Sequence, residues 1–554
     1  MASSISSQST QKDTFQMATK NTGSIHSHTS GKIELEECSA QQKAEVDNFD
    51  IERQSPPAAP PITPRAAILL FIGLAMATFL ASLDGTIIAT ALPKIASDFK
   101  AQSQMSWVAT AYLLTYSKFS DIFGRKIMIL FASVTFMIGS AGAGGATTMT
   151  MLIVFRALQG LLSIVLIIIS DIFPLEQRPK YQSIIWSVFG VSSVIGPLLG
   201  GVFVQQTTWR WCFLINLPLG VVTIASVFLF LHLPFERQDL KKQLARIDYL
   251  GTALIIIAVI CLLLPITWGG TTYAWDSPVI IILFCVSAVL IGVLMWVEGK
   301  AHEPIIPPRL FRNKTVSVLF GVNFLTGMAF LGVIFYSPIY FQVVQGVGAT
   351  ASGLHLLPMV MGLVISSIGS GALMAKIKDY RIFIWIGTTM VAIGVGLCML
   401  LDADSSMGEQ IGFLLIVGLG IGLILQTCML AAQAAVEKKD MAVVTALCGF
   451  MNSIGGGVGI AMCSALFNNH LTTKFAELPL EILAVIAEYN LAEEITAVQK
   501  LPADAKVYVI GAYVDTFQFI FKCITPIACA AFLLSLFIRR LRILDPSEVI
   551  MGAA

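Results

Sequence analysis

The chain has 554 residues, of which 56% are hydrophobic and 12% are charged, and its formal net charge is +1. Soluble domains carry about 25% charged residues, so a water-soluble fold of this composition would lack the polar surface needed to cover itself. The small net charge gives no reason to expect a nucleic-acid or other polyanionic partner. The composition therefore predicts an all-α polytopic membrane protein.

The first 65 residues differ in composition from the rest of the chain. They are rich in Ser, Thr, Gln and charged residues, and they close with the proline-rich stretch Ser55–Pro64. Such a segment cannot bury enough apolar surface to fold, and we expect a disordered cytoplasmic tail over residues 1–65. The tail lacks the short apolar core of a signal peptide, so the first spanning helix is expected to direct insertion.

From residue 66 onward, apolar runs approach the length of about 20 residues that a spanning helix needs. Thirteen runs are clear, and the run 105–117 is defective because its helix would reach only about 20 Å of a hydrocarbon core of about 30 Å. The fourteen predicted spans are 66–92, 105–117, 127–148, 151–170, 184–204, 213–233, 247–267, 278–298, 316–340, 350–374, 383–401, 409–432, 442–468 and 516–538.

The basic residues predict how these spans are oriented. Cytoplasmic loops concentrate Lys and Arg. When the short run 105–117 is counted as a span, one set of alternate loops carries 21 Lys and Arg residues and the other set carries 6. This asymmetry predicts that both termini, including the tail 541–554, are cytoplasmic. The predicted outer loop 470–515 alternates apolar and acidic residues, which favours an amphipathic helix on the membrane surface.

Two opposite charges lie inside predicted spans at similar depth. Asp84 is about 12 Å inside the outer end of the first span, and Arg156 is about 8 Å inside the outer end of the fourth. Because an isolated charge there is costly, we expect the two to pair and to face a wet cavity. Gln159 follows Arg156 at i+3 and shares its face. A buried carboxylate of this kind predicts proton exchange, with a purely structural ion pair as the alternative.

The fifth predicted span carries a row of small residues in the stretch FGVSSVIGPLLGG. Gly196 and Gly200 form a GxxxG pair, which lets another helix approach closely. Gly190 and Gly201 are eleven residues apart and lie on nearly the same helix face, and Pro197 favours a kink because it lacks a backbone N–H. The pattern predicts a closely packed face, and ordinary helix packing would explain it as well as a specialised function would.

The connection before the third span reads KFSDIFGRK. Asp121 and Arg125 stand at i and i+4, with Gly124 and Lys126 beside them. Asp121 lies near the N-terminus of the third span, where the helix dipole favours negative charge. A basic membrane anchor with a capping acid would explain these residues almost as well as a functional motif.

Taken together, these residues resemble the major facilitator superfamily, specifically its fourteen-span drug:proton antiporters. LDGTIIATALP, residues 83–93, resembles that family's first-helix signature, and SDIFGRK resembles the superfamily's loop motif. RALQG, residues 156–160, resembles the fourth-helix motif, and GVSSVIGPLLGG resembles the antiporter motif of the fifth helix. The resemblance covers residues 65–540, and stretches such as PPRLFRNKT are similar to fungal toxin and multidrug exporters.

The resemblance implies a major facilitator fold with two six-helix bundles, spans 1–6 over 66–233 and spans 9–14 over 299–540. Spans 7 and 8, over 234–298, would be an inserted pair. Asp84, Arg156 and Gln159 would line the route of the proton or the substrate, and the loop motif would form a cytoplasmic latch. The glycine face of the fifth span would be a packing hinge for alternating access.

The resemblance also implies a function, namely proton-coupled export of small hydrophobic organic compounds such as drugs or fungal secondary-metabolite toxins. The proton gradient would supply the energy, and no cofactor is expected. The expected setting is a monomer in the lipid bilayer of the plasma membrane, with a vacuolar membrane as the alternative. The sequence contains no GxxxxGK[ST] loop, GxSxG elbow or HExxH site, so we do not expect an enzyme.

The sequence departs from the family's pattern in two spans. In the second span Ser117 stands near the place where the family has a glycine, and in the fourth span Gly160 is followed by LLSIVL instead of a glycine-rich stretch. Both spans are therefore predicted to be shortened. Two alternatives stay open: a proton-coupled importer of metal–chelate or similar small molecules, and a transport-incompetent paralogue or incorrectly predicted gene.

Overall fold

The structure is a computed structural model, and it describes the chain from residue 64 to residue 539 with gaps. The described ranges are 64–101, 104–114, 125–160, 178–230, 248–270, 272–301, 304–377, 379–437, 440–489 and 495–539.

Helices account for nearly all of the regular structure in these ranges. In chain order they are α1 Pro64–Asp98, α2 Met105–Leu114, α3 Arg125–Gly144, α4 Met149–Gln159, α5 Arg178–Gln206, α6 Trp211–Leu214, α7 Asn216–Phe230, α8 Tyr249–Trp268, α9 Pro278–Glu298, α10 Pro308–Phe311, α11 Lys314–Val343, α12 Ala349–His355, α13 Leu357–Ile377, α14 Tyr380–Cys398, α15 Met407–Ala434, α16 Met441–Ala476, α17 Leu480–Glu488 and α18 Ala503–Ser535.

The helices agree with an all-α membrane protein. Within the described ranges, eleven helical stretches are long and apolar enough to cross a membrane. Each of the other three predicted spans also meets a helix: among the described residues, which stop at 114 and 160, α2 covers Met105–Leu114 and the apolar parts of α3 and α4 cover Ile129–Gly144 and Met149–Gln159. The eleven long stretches confirm a polytopic protein, whereas the count of fourteen spans stays a prediction.

The helices pack in two sets, with α8 and α9 beside them. In the first set α1 packs against α5 and α7, and α3 packs against α4 and α7. In the second set α11 packs against α16 and α18, while α15 packs against α13 and α14. The two sets meet where α5 contacts α12 and α13, where α2 contacts α16, and where α1 contacts α11 and α12. The predicted domain limits stay predictions.

The loop between the last two spans is shorter than predicted. Helix α16 continues to Ala476 and α18 begins at Ala503, so the connection covers 477–502 instead of 470–515. Within it, α17 buries Ile486 while Leu480 is 84% exposed. The long helices extend because their ends pack against each other, and hydropathy alone does not detect this contact.

Candidate functional site

The first predicted charge, Asp84, lies in the middle of α1 and is fully buried. Its Oδ2 atom lies 2.5 Å from Nη1 of Arg156 on α4. Its Oδ1 atom accepts hydrogen bonds from Nδ2 of Asn216 at 2.7 Å and from Nε2 of Gln159 at 3.3 Å. Both carboxylate oxygens are therefore held by donors, as a buried anion requires.

The guanidinium of Arg156 is also surrounded by hydrogen-bond acceptors and aromatic rings. The Arg156 side chain is 1% exposed, its Nη1 also donates to Oε1 of Gln159 at 2.6 Å, and its Nε donates to the carbonyl oxygen of Val108 at 3.0 Å. The guanidinium carbon lies 4.5 Å from the ring centre of Tyr112 and 5.9 Å from that of Phe213. Two aromatic faces thus stabilise the charge in place of water.

Six helices, α1–α4, α6 and α7, bring these groups together. Helix α4 begins after Thr148, whose hydroxyl accepts a hydrogen bond from the backbone N–H of Met151. Arg156 and Gln159 then share one face of α4 because they are three residues apart. Ser140 on α3 accepts a hydrogen bond from Gln159 Nε2 at 2.6 Å. Asn216, the first residue of α7, donates to the same Ser140 hydroxyl at 3.2 Å, which closes a buried network around the acid.

The structure thus brings Asp84, Arg156 and Gln159 into direct contact, as their depth in the predicted spans led us to expect, but the pair is fully buried and does not face the wet cavity that we also expected, because protein donors and aromatic rings surround it. Sequence reasoning missed Asn216 and Ser140, which are fully buried, and Tyr112. A neutral polar residue in an apolar run is less costly than a charge, so it does not stand out by hydropathy. Asparagine at the start of a spanning run, in INLPLG, was the one signal available.

The glycines of α5 face α1 on one side and α12 and α13 on the other. A Cβ atom at Gly196 or Gly200 would collide with α1, at Thr86 and at the carbonyl oxygen of Ile87 respectively. A Cβ atom at Gly190 would collide with Val364 of α13. The close approach predicted for Gly196 and Gly200 is therefore made with α1, the helix that carries the acid.

The remaining two residues of this row lie near α12. A Cβ atom at Gly201 would collide with the backbone of Thr350. The carbonyl oxygen of Pro197 accepts a hydrogen bond from Oγ1 of Thr90 on α1 at 3.2 Å and lies against Gly353. Helix α5 is thus packed tightly between α1 on one side and α12 and α13 on the other.

Replacing Gly200 by Ala is expected to destabilise the protein by about 1–3 kcal/mol, because the added methyl group meets a backbone oxygen that cannot rotate away. The measurement is the thermal unfolding temperature of the purified protein in detergent. Gly369→Ala on α13 is the matched control, since a Cβ atom there meets nothing within 4 Å. Equal losses in both variants would contradict the packing argument.

The loop motif is only partly described. Asp121 and Gly124 lie outside the described residues, and Arg125 is the first residue of α3. Lys126 donates from Nζ to the carbonyl oxygen of Phe228 at 2.9 Å and lies 5.3 Å from the centre of that ring. This contact ties α3 to the end of α7, and the cytoplasmic latch stays a prediction.

Within the described part of the chain, no group of three His, Cys, Asp or Glu side chains is placed to hold a metal ion. The site consists of one acid, one base and neutral amides and hydroxyls. The amides and the hydroxyl each contact more than one neighbour, so the site is a connected hydrogen-bond network.

Comparisons with known proteins agree with the arrangement of the helices. A family model described as Major Facilitator Superfamily matches residues 74–460. The MFS-type efflux pump MFS1 of Arthroderma benhamiae is 39% identical over 420 residues, which cover 73% of this chain and 78% of that protein. The multidrug transporter protein MdtP of Bacillus subtilis is 39% identical over 422 residues, which cover 73% of this chain and 77% of that protein.

Solved structures show the same fold. A bacterial homolog of the human lysosomal transporter Spinster, in an inward-facing and occupied conformation, superimposes with a TM-score of 0.56 at 15% identity. The match covers 87% of this chain and 97% of that protein. Since the family model spans more than half of the chain and two relatives share over a third of their aligned residues with it, the chain belongs to the major facilitator superfamily and is a membrane transporter.

Proposed function

We propose that the protein exports small hydrophobic organic compounds, such as drugs or fungal secondary-metabolite toxins, in exchange for protons. The observation that carries this proposal is the fully buried pair of Asp84 and Arg156, surrounded by amide donors. Intramembrane ionisable pairs are expensive and are generally functional. The names of two relatives, an efflux pump and a multidrug transporter, support export and the substrate class.

The proposed coupling follows from charge balance. With Asp84 ionised, its charge compensates that of Arg156 and the network of Gln159 and Asn216 donates to its oxygens. Protonation of Asp84 removes the compensating charge and leaves the Arg156 cation buried without an anion, which favours a conformation that admits water. A proton can shift the balance between two conformations only by binding one of them better. The ion pair supplies this difference in proton affinity, because it is intact in one conformation and separated in the other.

Helix α2 bears on the alternative of a transport-incompetent paralogue, because the sequence predicts a shortened second span. Within the described part of α2, Val108 and Tyr112, one helical turn apart, both contact Arg156. The helix therefore keeps the face that completes the acid site. This contact supports transport competence over a degenerate relative.

The remaining parts of the proposal follow the charge pattern of the sequence. We propose that the two helix sets correspond to bundles 66–233 and 299–540, that 234–298 is an inserted pair, and that both termini are cytoplasmic. The plasma membrane is the proposed location and a monomer the proposed unit. The loop motif 120–126 would act as the cytoplasmic latch of alternating access.

The test uses inside-out membrane vesicles with an acidic lumen and a hydrophobic cationic dye, rhodamine 6G. Export by proton exchange predicts that the dye accumulates in the lumen and that a protonophore abolishes the accumulation. Loss of dye from the lumen, driven by the same gradient, would support import instead. No flux from folded protein with this dye or a panel of hydrophobic toxins would contradict the proposal and favour a transport-incompetent protein.

A further inference from the structure

The two helix sets are joined by hydrogen bonds at the end that the charge pattern predicts to be outer. On α11, Gln342 donates from Nε2 to the carbonyl oxygen of Thr90 on α1 at 3.4 Å and to Oγ of Ser352 on α12 at 3.1 Å. On α5, Oε1 of Gln205 accepts a hydrogen bond from Oγ1 of Thr350 on α12 at 2.8 Å. Each glutamine therefore connects a helix of the first set to a helix of the second.

These contacts lie between the acid site and the predicted outer surface. Thr90 is six residues after Asp84 on α1, which is about 9 Å along the helix. Thr90 and Ser352 are fully buried, so the bonds of Gln342 close the inner part of this junction. The Gln205 side chain is exposed and forms the outer rim.

The chemistry of these contacts suits a junction that opens repeatedly. They are neutral amide and hydroxyl hydrogen bonds, and their net stability is small because water replaces them when they break. A buried ion pair at the same place would resist opening, since separation would leave a charge without a partner. The tight contact between Gly201 of α5 and the backbone of Thr350 of α12 lies beside the junction, and as a van der Waals contact it can adjust to a small rotation without a hydrogen bond being broken.

We propose that Gln205 and Gln342 are the gate residues that close the transport path at the predicted outer end, Gln342 as the inner layer and Gln205 as the rim. This assignment rests on the proposed alternating-access function. The gate carries no titratable side chain among its hydrogen-bonded residues, so its strength does not respond to protons directly. The proton acts at Asp84, and α1 transmits its effect to Thr90 because both residues lie on one continuous helix.

Hydrogen–deuterium exchange of the purified full-length protein in lipid nanodiscs tests the gate. Gln342→Ala is expected to raise the exchange rate of amides in α12 and at the outer end of α1 about fivefold or more, the change that loss of one neutral hydrogen bond produces. Gln342→Glu keeps the shape but loses the amide donor, so it is expected to act in the same direction. Gln205→Ala, an exposed position, should raise exchange at Thr350 and its neighbours without affecting folding.

Gln345 offers a matched control three residues from Gln342. Its Nε2 atom bonds to Oη of Tyr340 and to the carbonyl oxygens of Asp402 and Ala403, all within the second helix set. Gln345→Ala should therefore change exchange only in that region and leave α1 and α12 as in the wild type. Unchanged exchange in α1 and α12 of the Gln342 variants, or an equal increase with Gln345→Ala, would overturn the gate.

The exchange measurement needs no transported compound, so the gate proposal and the export proposal can be refuted independently of each other. Faster exchange in the Gln342 variants, together with a wild type that moves no substrate, would uphold the gate and refute export. Proton-driven flux that depends on Asp84, together with unchanged exchange in the Gln342 variants, would uphold export and refute the gate.

Discussion

Replacing Asp84 by Asn is expected to reduce proton-driven efflux, measured per amount of folded protein in the membrane, to the level of vesicles without the protein. Asparagine has nearly the same size, but its single acceptor oxygen can serve either Arg156 or the pair Asn216 and Gln159, and the buried Arg156 loses its anion, so we expect some loss of stability. It cannot gain or lose a proton, so the two sides of the membrane no longer favour different conformations. The measurement is dye accumulation in inside-out vesicles as a function of the pH difference.

Asp98→Asn is the matched control for this variant. Asp98 lies on the same helix as Asp84, but its side chain is 38% exposed and pairs with Lys94 at 2.8 Å across one helical turn. Exposed pairs of this kind contribute little. The pH dependence of efflux should therefore be that of the wild type in Asp98→Asn. Efflux by the Asp84→Asn variant that still depends on the pH difference would contradict the proposed role of Asp84 in proton coupling.

Replacing Arg156 by Met is expected to destabilise the protein by about 3–5 kcal/mol, because it leaves the buried carboxylate of Asp84 without a cation. The loss also removes the hydrogen bonds to Val108 and Gln159. The measurement is the thermal unfolding temperature in detergent. Efflux driven by the pH difference should be absent in this variant as well.

The double variant Asp84→Asn with Arg156→Met separates the ion pair from ordinary packing. If the two residues interact, the neutral pair should lose clearly less stability than the sum of the two single changes, since no charge remains buried alone. Strictly additive losses would show that the two charges are stabilised independently of each other. Export should not return in the double variant, because a neutral pair cannot exchange a proton.

Several features of this protein follow from the amino-acid sequence without any coordinates. Hydropathy and length predict helices that meet every predicted span, and charge inside an apolar run singles out Asp84 and Arg156. Counting residues from the span ends places both at similar depth, which is enough to expect contact. Helical spacing also predicts that Gly196 and Gly200 form a face for close packing. These properties depend on local periodicity and on the free-energy cost of burying a charge. Residue spacings, and charged residues inside apolar runs, can both be read directly from the sequence.

The partners of these residues depend on the way the helices are arranged around each other. No periodicity indicates that α2 turns Tyr112 and the carbonyl oxygen of Val108 toward Arg156, or that Asn216 reaches Asp84 across 132 residues of sequence. Gln342, 252 residues from Thr90, is an ordinary polar residue at a helix end until α1 and α11 meet. The face that a residue occupies on its own helix is a local property, whereas the neighbour it contacts depends on how all the helices pack. Burying a neutral polar group costs much less free energy than burying a charge, so such a residue in the sequence does not indicate that it has a specific partner.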